Sequence, residues 1–433
     1  MSDPTPEGVA AAASRAQRDA LRDRYEARLR TSTELRWLAS FAGNRDEPVH
    51  RWFPYKEGFS RGLVDRAVEQ ADLSPCSTVL DPFCGVGTTP LAARLRGHRG
   101  IGTDLLPLAA FVSRVKVAAV EGVDPERLLR ASDALRAGDG GTRPAARFAD
   151  IPLVRRAFDL PVLRAILDLR DRIGRLPDAG VRPLLRLALL ASLEELSHTR
   201  KDGLCVRVRP RPRIEAPIEV VRRRAADMAA DLAAVRAARP SRGGARILPA
   251  DARRLPLRDG SVDLVVTSPP YLNRYDYARI YSLELALEFV ASFDELRDLR
   301  HRLLRGHIEA RPAATAHVRD GAVPEVLGSL RHRTLNNPNI PRMIHAYFED
   351  MHLVVRELAR VCRSGGRVAL LVGNVRFGGE PIPVDLILAD MAERQGFRVE
   401  SIEVTRTKGN ASQQMGRYGR LPSRESLSTW IRD

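Results

Sequence analysis

Residues 78–89 read Thr-Val-Leu-Asp-Pro-Phe-Cys-Gly-Val-Gly-Thr-Thr, and this stretch decides the fold class. It begins with apolar residues, which predict a short buried strand, and a helix is expected over 90–95. Between them, Gly85 and Gly87 allow a tight turn and the close approach of a ligand to the backbone. A strand, a glycine-rich turn and a helix in this order are typical of a nucleoside-binding crossover in an α/β sheet.

An acidic residue follows where such a crossover needs one. Residues 100–103 (Gly-Ile-Gly-Thr) are expected to end a second strand, and Asp104 comes directly after them. A carboxylate about 20 residues beyond the glycine turn can accept hydrogen bonds from both ribose hydroxyls of a nucleoside. The two segments together predict a nucleoside site at the carboxyl edge of the sheet.

A second motif, Thr-Ser-Pro-Pro-Tyr at 267–271, follows the apolar run 262–266. Consecutive prolines fix the backbone at the end of the expected strand, so its carbonyl groups point in one direction. Ser268 adds a small hydroxyl and Tyr271 adds a flat ring. Such a loop can stack on a planar ring and accept hydrogen bonds from its exocyclic amine, as chemistry on an extruded nucleobase requires. A plain turn that ends a strand is the alternative interpretation.

Together these motifs resemble the amino-methylating branch of the S-adenosylmethionine-dependent DNA methyltransferases. In that family Asp-Pro-Phe-x-Gly-x-Gly forms the cofactor loop, and Ser, Asp or Asn before Pro-Pro-Tyr forms the catalytic loop. The resemblance implies an α/β fold with a doubly wound, mostly parallel, seven-stranded Rossmann-like sheet and largely helical insertions. It also implies S-adenosylmethionine as the cofactor, duplex DNA with a flipped target base as the partner, and no metal.

The resemblance also assigns residues. The segment 52–60 resembles the family's segment beside the methionine end of the cofactor, Asp104 falls on the ribose-binding acid, and Asp251 falls on the acid that receives the adenine amine. The cofactor-binding residues implied are Tyr55, Lys56, Asp81, Pro82, Phe83, Gly85, Gly87, Thr88, Asp104, Asp251 and Ala252. The catalytic residues implied are Ser268, Pro269, Pro270 and Tyr271.

The order and spacing of the motifs predict the domain organisation. The cofactor loop precedes the catalytic loop, and about 145 residues separate Asp104 from Asp251, far more than a crossover needs. The expected parts are an N-terminal helical extension (1–48), the first part of a methyltransferase core (49–135), a mostly helical insertion that is a candidate for target recognition (136–244), a core segment with the catalytic loop (245–289), a second insertion (290–342) and the C-terminal part of the core (343–433).

Composition supports a polyanionic partner and indicates in which cellular compartment the protein is expected. The 433 residues carry a formal net charge of +16, although the strong preference for arginine over lysine can partly reflect GC-rich coding. The four cysteines lack metal-ligand spacing, which predicts a reducing compartment and no zinc site. Neither a membrane-spanning apolar run nor a signal-peptide core is present, so a cytoplasmic, nucleoid-associated protein with no membrane partner is expected.

The expected chemistry is direct methyl transfer to an exocyclic amine. The lone pair of that amine is delocalised into the ring, so Ser268 and the Pro269 carbonyl are expected to hold the nitrogen in line with the sulfonium methyl group, with Tyr271 stacked on the base. Family members with Ser at the first loop position mostly act on cytosine N4, which favours cytosine N4 over adenine N6. Methylation at cytosine C5 needs a Pro-Cys nucleophile in the catalytic loop and is excluded, because Pro75-Cys76 lies before the cofactor strand.

Two other function classes stay open. The tRNA guanosine N2-methylating enzymes pair a similar glycine loop with a later Pro-Pro-Tyr, although they usually carry Asp before it. A catalytically silent DNA-binding module would keep the fold alone. The motifs say nothing of the recognised DNA sequence, the oligomeric state, or whether a cognate restriction or defence protein exists.

Further expectations concern segments outside the motifs. The basic stretch 200–213, the polar loop 335–339 and the glycine-rich loop 406–420 are candidate contacts with nucleic acid. Tyr275 is expected to line a base pocket, whereas His301 and His307 are expected on a solvated helix. One charged helix is expected over 15–38.

Overall fold

The computed structural model describes residues 15–32, 34–136, 151–202, 205–211, 213–238, 243–312, 317–318, 320–408 and 422–433. The strands within these residues are β1 (Leu29–Thr31), β2 (Thr78–Asp81), β3 (Arg99–Thr103), β4 (Thr199–Asp202), β5 (Cys205–Val208), β6 (Ala245–Leu248), β7 (Val262–Thr267), β8 (Cys362–Gly373), β9 (Val375–Phe377), β10 (Glu380–Ile382), β11 (Phe397–Lys408) and β12 (Ser423–Arg432).

The helices range from one turn to about six turns in length. In the described ranges they are α1 (Ala16–Tyr25), α2 (Leu35–Leu38), α3 (Arg61–Gln70), α4 (Thr88–Leu95), α5 (Pro107–Gly122), α6 (Pro125–Ala134), α7 (Pro152–Ala157), α8 (Leu160–Gly174), α9 (Val181–Ser192), α10 (Pro217–Ala237), α11 (Tyr277–Ile280), α12 (Ser282–Glu288), α13 (Phe293–Arg302), α14 (Ala322–Leu330), α15 (Ile340–Val361) and α16 (Val384–Arg394). None of these helices is long and apolar enough to cross a membrane.

In the part of the chain that is described, eight strands form one sheet in the order β6-β3-β2-β7-β8-β12-β11-β1. Neighbouring strands run parallel except for β12, which is antiparallel to both β8 and β11. The chain moves outward from β2 to β3 and β6 on one side and from β7 to β8 on the other. The strand order therefore reverses between β2 and β7, the position at which such sheets bind ligands.

The central strands are covered on both faces. Val79, Leu264 and Val266 pack with helices α2, α3 and α4, whereas Leu80 and Val265 pack with helices α15 and α16. Side chains alternate between faces along a strand, so this pattern buries each strand on both sides. The predicted doubly wound, mostly parallel α/β sheet is confirmed.

The N-terminal residues depart from the sequence-based expectation. The single helix expected over 15–38 is wrong, because α1 ends at Tyr25 and the chain then forms β1, which pairs with β11 (Leu29 opposite Ile402). The sheet consequently has one strand more than the seven expected. The reason is tertiary: Arg18 is buried and its Nε lies 2.6 Å from Glu325 Oε1, so α1 is anchored to a distant helix. Such contacts override local helix propensity.

The helices of the first expected insertion do not form a separate core. Helices α8, α9 and α10 bury apolar side chains in one cluster with α5 and with core residues 278–287. Asp231 of α10 also accepts hydrogen bonds from Val49 N at 2.9 Å, Arg51 Nη2 at 2.7 Å and Trp52 Nε1 at 2.9 Å. The insertion thus fixes the segment that leads to Tyr55.

Candidate active site

A cavity lies at the carboxyl edge of β2, β3 and β7, where the strand order reverses. It encloses about 1030 Å³, part of which is open to solvent, and we call it the first cavity. Eleven residues predicted from the sequence line it: Tyr55, Asp81, Pro82, Phe83, Gly85, Thr88, Asp104, Asp251, Ala252, Ser268 and Pro270. The predicted residues Lys56, Gly87, Pro269 and Tyr271 are not among its lining residues.

The glycine turn has the conformation that its sequence requires. Gly85 and Gly87 have φ values of 49° and 83°, which residues with a side chain rarely adopt. A Cβ atom at Gly85 would lie 2.9 Å from the ring of Tyr55, and one at Gly87 would lie 3.0 Å from Ser113 Cβ. Gly85 therefore faces the first cavity, whereas Gly87 lies against α5 and shapes the turn from behind.

Asp104 closes the glycine turn from the neighbouring strand. Its Oδ2 accepts a hydrogen bond from Gly85 N at 2.9 Å, and its Oδ1 accepts one from Leu106 N at 2.8 Å. Burial raises the pKa of Asp104 to about 6, although these hydrogen bonds oppose the shift. A carboxylate can accept about four hydrogen bonds, so acceptor capacity is left for a ligand.

Asp81 joins the two strands at the reversal point. Its Oδ1 accepts hydrogen bonds from Thr267 Oγ1 at 2.6 Å and from Phe83 N at 3.0 Å. Burial raises the pKa of Asp81 to about 7. The contact with Thr267 ties the cofactor loop to the residue that precedes the Ser-Pro-Pro-Tyr loop, so the two motifs are held in a fixed relation.

A column of aromatic rings forms another wall. The ring of Tyr55 is stacked between Tyr277, at 5.7 Å and 19°, and Tyr281, at 5.1 Å and 5°. Lys201 Nζ lies 5.0 Å from the Tyr281 ring centroid. Tyr275 lines the first cavity and contacts Tyr277 edge-on at 4.7 Å; its expected place in a base pocket stays a prediction. The three tyrosines at 275, 277 and 281, close together in the chain, were the available signal for this wall.

The Ser-Pro-Pro-Tyr loop divides its side chains between two spaces. Ser268 lines the first cavity, and its buried Oγ makes no hydrogen bond of normal geometry within the described residues. The hydroxyl of Tyr271 instead donates to Glu425 Oε1 at 2.9 Å. Burial raises the pKa of Tyr271 well above its ordinary value, the charge of Glu425 adds to the shift, and the nearby Ser268 hydroxyl opposes it.

Tyr271 and Lys56 line a second cavity of about 1330 Å³, which we call the second cavity. It shares Tyr55 and Glu57 with the first cavity, so the two spaces adjoin. Lys56 is therefore placed at the second cavity, next to Tyr55, and its expected contact with the cofactor stays a prediction. Its backbone N–H donates to the Tyr281 hydroxyl at 2.8 Å, and its side chain is exposed on the side of the second cavity.

Asp251 lies in the first cavity but already has a strong partner. Arg253 donates to both of its oxygens, with Nε at 2.9 Å from Oδ1 and Nη2 at 2.7 Å from Oδ2. Arg253 Nη1 also reaches the fully buried Asp350 at 3.0 Å. Arg253 N also donates to Asp251 Oδ1 at 2.9 Å, so this network fixes the orientation of the Asp251 carboxylate.

Some lining residues had no motif that could reveal them. Arg253, Asp276 and His307 all line the first cavity. His307 is only 5% exposed, which corrects its expected place on a solvated helix; its Nδ1 has no hydrogen-bond partner among the described residues. Asp276 lies 2.6 Å from Arg300 Nη2. These contacts depend on how the second insertion folds back onto the core.

The candidate nucleic-acid segments are only partly described. The basic stretch 200–213 contains the hairpin of β4 and β5, and Arg207 and Arg209 on it are exposed. In the polar loop 335–339, Asn336 Oδ1 accepts a hydrogen bond from Arg274 Nη1 at 3.3 Å. The loop 406–420 lies outside the described residues from position 409 onward. Their expected contacts stay predictions.

The fold and this site together are those of the S-adenosylmethionine-dependent methyltransferases: a doubly wound sheet carries a glycine turn and an acid at the position where its strand order reverses. No family model matches the chain. Among solved structures, a TehB-like S-adenosylmethionine-dependent methyltransferase from Corynebacterium glutamicum is 10% identical and covers 98% of this chain, and its TM-score of 0.29 is too low to add to the assignment.

Curated relatives match nearly the whole chain. The Type II methyltransferase M.BsoBI of Geobacillus stearothermophilus is 31% identical over an alignment of 456 positions. The alignment covers 92% of this chain and 89% of the relative. The Type II methyltransferases M.AvaI of a Nostoc species and of Anabaena variabilis are each 31% identical over 447 residues, which cover 95% of this chain and 92% of each relative. The chain belongs to the Type II DNA methyltransferases, and its cofactor is S-adenosylmethionine.

Proposed function

We propose that this protein transfers the methyl group of S-adenosylmethionine to the N4 amine of a cytosine that is flipped out of duplex DNA. The observation that carries the proposal is the position of Ser268, which lines the first cavity while Tyr271, three residues later in the same loop, lines the adjoining second cavity. A base in the second cavity could present its amine to Ser268, with the methyl donor on the other side.

The first cavity suits the cofactor on structural grounds. A Cβ atom at Gly85 would contact Tyr55, so the turn leaves backbone, not side chain, against the cavity. We assign the ribose hydroxyls to Asp104, which keeps acceptor capacity, and the adenine amine to Asp251, whose carboxylate Arg253 holds at the first cavity. Asp81, Phe83 and the glycine turn would lie against the methionine part.

The chain's own residues would bind and orient, and none need form a covalent bond. S-adenosylmethionine supplies an activated methyl group when bound. Ser268 Oγ and the Pro269 carbonyl would accept hydrogen bonds from the amine. These hydrogen bonds would favour a pyramidal nitrogen, whose lone pair is less delocalised into the ring. Tyr271 would provide a stacking surface for the base, and fixed positioning of this kind can supply much of a rate enhancement.

DNA would approach along the side of the second cavity. Arg45, Arg51, Lys56, Lys201 and Arg406 line this cavity. Of these, Arg45 and Lys56 are exposed and form no ion pair within the described residues, which leaves them able to contact phosphates. We propose that the first insertion, 136–244, contributes to target recognition, because its residues Glu194 and Lys201 line the second cavity and Asp231 of α10 holds Arg51, which lines it too.

The product of the reaction tests the proposal directly. The purified protein is incubated with unmethylated genomic DNA and labelled S-adenosylmethionine, and the DNA is digested to nucleosides for mass analysis. N4-methylcytosine is the expected product. N6-methyladenine would overturn the choice of base but keep the chemistry. Label in tRNA with none in DNA would contradict the proposed substrate, and no label in either would contradict methyl transfer to nucleic acid by this chain alone.

The affinity for S-adenosylmethionine should depend on pH. Asp81, with a pKa raised to about 7, and Asp104, with a pKa raised to about 6, take up protons as the pH falls from 8 to 5. A protonated carboxyl loses acceptor capacity and negative charge, so the Kd should rise steadily on acidification, most steeply below pH 6. Isothermal titration calorimetry at each pH measures it.

Circular dichroism at the same pH values shows whether the fold persists. A Kd that stays constant from pH 8 to pH 5 in a folded protein would contradict the assignment of both carboxylates to the cofactor.

A further inference from the structure

We propose that Glu425 is a positioning residue for the catalytic loop. It holds the ring of Tyr271 through the phenol hydroxyl, and Arg406 balances its charge. Glu425 lies on β12, 154 residues from Tyr271 in the chain, and no sequence motif marks it. The role of the held ring toward a base rests on the proposed function, whereas the contact itself does not.

The contact is buried and direct. Glu425 is 1% exposed and Tyr271 is 7% exposed, and the phenol hydroxyl donates to Glu425 Oε1 at 2.9 Å. Arg406 on β11 donates to the same carboxylate through Nε and through Nη2, the latter at 3.2 Å from Oε1. The three side chains form a continuous network from the catalytic loop to the β11–β12 hairpin.

The buried Glu425 carboxylate is a charged acceptor, and burying its charge costs free energy. Burying a carboxylate is unfavourable unless it is paired and hydrogen-bonded, and Arg406 supplies that pair. In return, a hydrogen bond to a charged acceptor is roughly twice as strong as one between neutral groups. A neutral acceptor could satisfy a phenol hydroxyl more cheaply, so the charge indicates that the position of Tyr271 is held firmly.

Packing restricts the same ring on a second side. A Cβ atom at Gly373 would lie 3.1 Å from the Tyr271 ring, which shows that the ring rests on the backbone where β8 ends. Gly373 and Glu425 are opposite each other in the register of β8 and β12. One pair of residues across the sheet therefore sets both the support under the ring and the anchor for its hydroxyl, and Tyr271 and Arg406 both border the second cavity.

Three variants and a matched control test the role in the full-length protein. E425Q keeps the size of the side chain and one acceptor oxygen but removes the charge, and Y271F removes the hydroxyl that Glu425 holds. The third variant combines the two. The control is E403Q, because Glu403 lies on the same hairpin and pairs with an arginine, Arg66, at 2.9 Å, without contact to the loop.

Two measurements are made on each protein. Hydrogen–deuterium exchange over residues 267–275, without DNA or cofactor, reports how firmly the loop is held. Steady-state methylation of unmethylated duplex DNA reports kcat and KM, and calorimetry reports the Kd for S-adenosylmethionine. We expect faster exchange in the loop for E425Q and Y271F, a kcat lower by about tenfold, and KM and Kd within about twofold of the wild type. The double variant should match Y271F, because E425Q acts through the same hydrogen bond that Y271F removes.

Several results would overturn the assignment. Exchange in E425Q equal to that in E403Q would show that Glu425 does not hold the loop. Effects of E425Q and Y271F that multiply in the double variant would show that the two residues act separately. A wild-type protein that methylates no DNA would remove the proposed function alone, since the exchange measurement still decides whether Glu425 positions the loop.

Discussion

Replacing Asp104 by alanine should raise the Kd for S-adenosylmethionine by on the order of a hundredfold. In the structure Asp104 accepts hydrogen bonds from Gly85 N and Leu106 N and keeps further lone pairs toward the first cavity. The substitution removes the acceptor that we assign to the ribose hydroxyls. It also releases the Gly85 amide that holds the glycine turn in place, so both losses act in the same direction. Isothermal titration calorimetry without DNA measures the effect.

The matched control for this substitution is E121A. Glu121 lies at the end of α5, where its Oε1 accepts from Arg94 Nε at 3.2 Å on the surface. The change in net charge is the same, but the residue is not among those that line the first cavity. E121A should bind the cofactor like the wild type. An unchanged Kd in a folded D104A protein would show that Asp104 does not hold the ribose.

The double variant S268A/Y271A should lower kcat for DNA methylation by about a thousandfold while cofactor binding is kept. Ser268 lines the first cavity, and its Oγ makes no hydrogen bond of normal geometry among the described residues, so its loss removes an acceptor for the amine. Loss of an aromatic ring that stacks on a base costs about 1–3 kcal/mol per base, and loss of a hydrogen bond adds about 1 kcal/mol. Misplacement of the reacting nitrogen adds to both.

Single-turnover kinetics with saturating DNA and cofactor separates this effect from binding. S261A is the control, because Ser261 lies just before β7, at the opposite end of the strand from Ser268, where its Oγ donates to the carbonyl of Arg258 at 2.6 Å. If S268A/Y271A methylates DNA at the wild-type rate, the catalytic site lies elsewhere in the chain. Loss of cofactor binding in the double variant would instead show that the loop serves to bind the cofactor and not to position the base.

Much of the fold could be predicted from short segments. The stretch 78–89 folds as the expected strand, turn and helix, because a short apolar run and paired glycines act within a few residues of each other. The same holds for the strand before the catalytic loop. The N-terminal prediction was wrong because Arg18 and the strand β1 find partners more than 300 residues away. Local propensity carries no information about such partners.

For the candidate site, too, some features follow from local sequence and others only from contacts between distant residues. By itself the sequence determined which residues meet at the reversal point of the sheet, because Asp81 ends a parallel strand, Asp104 and Ser268 each follow one, and parallel strands end at one edge. Only the tertiary structure decided which side chains share a cavity. It placed Lys56 and Tyr271 at the second cavity, gave Tyr271 a buried partner in Glu425, and placed His307 of the second insertion at the first cavity. Strand order and insertion packing set these neighbours, and they arise from contacts between residues far apart in the chain.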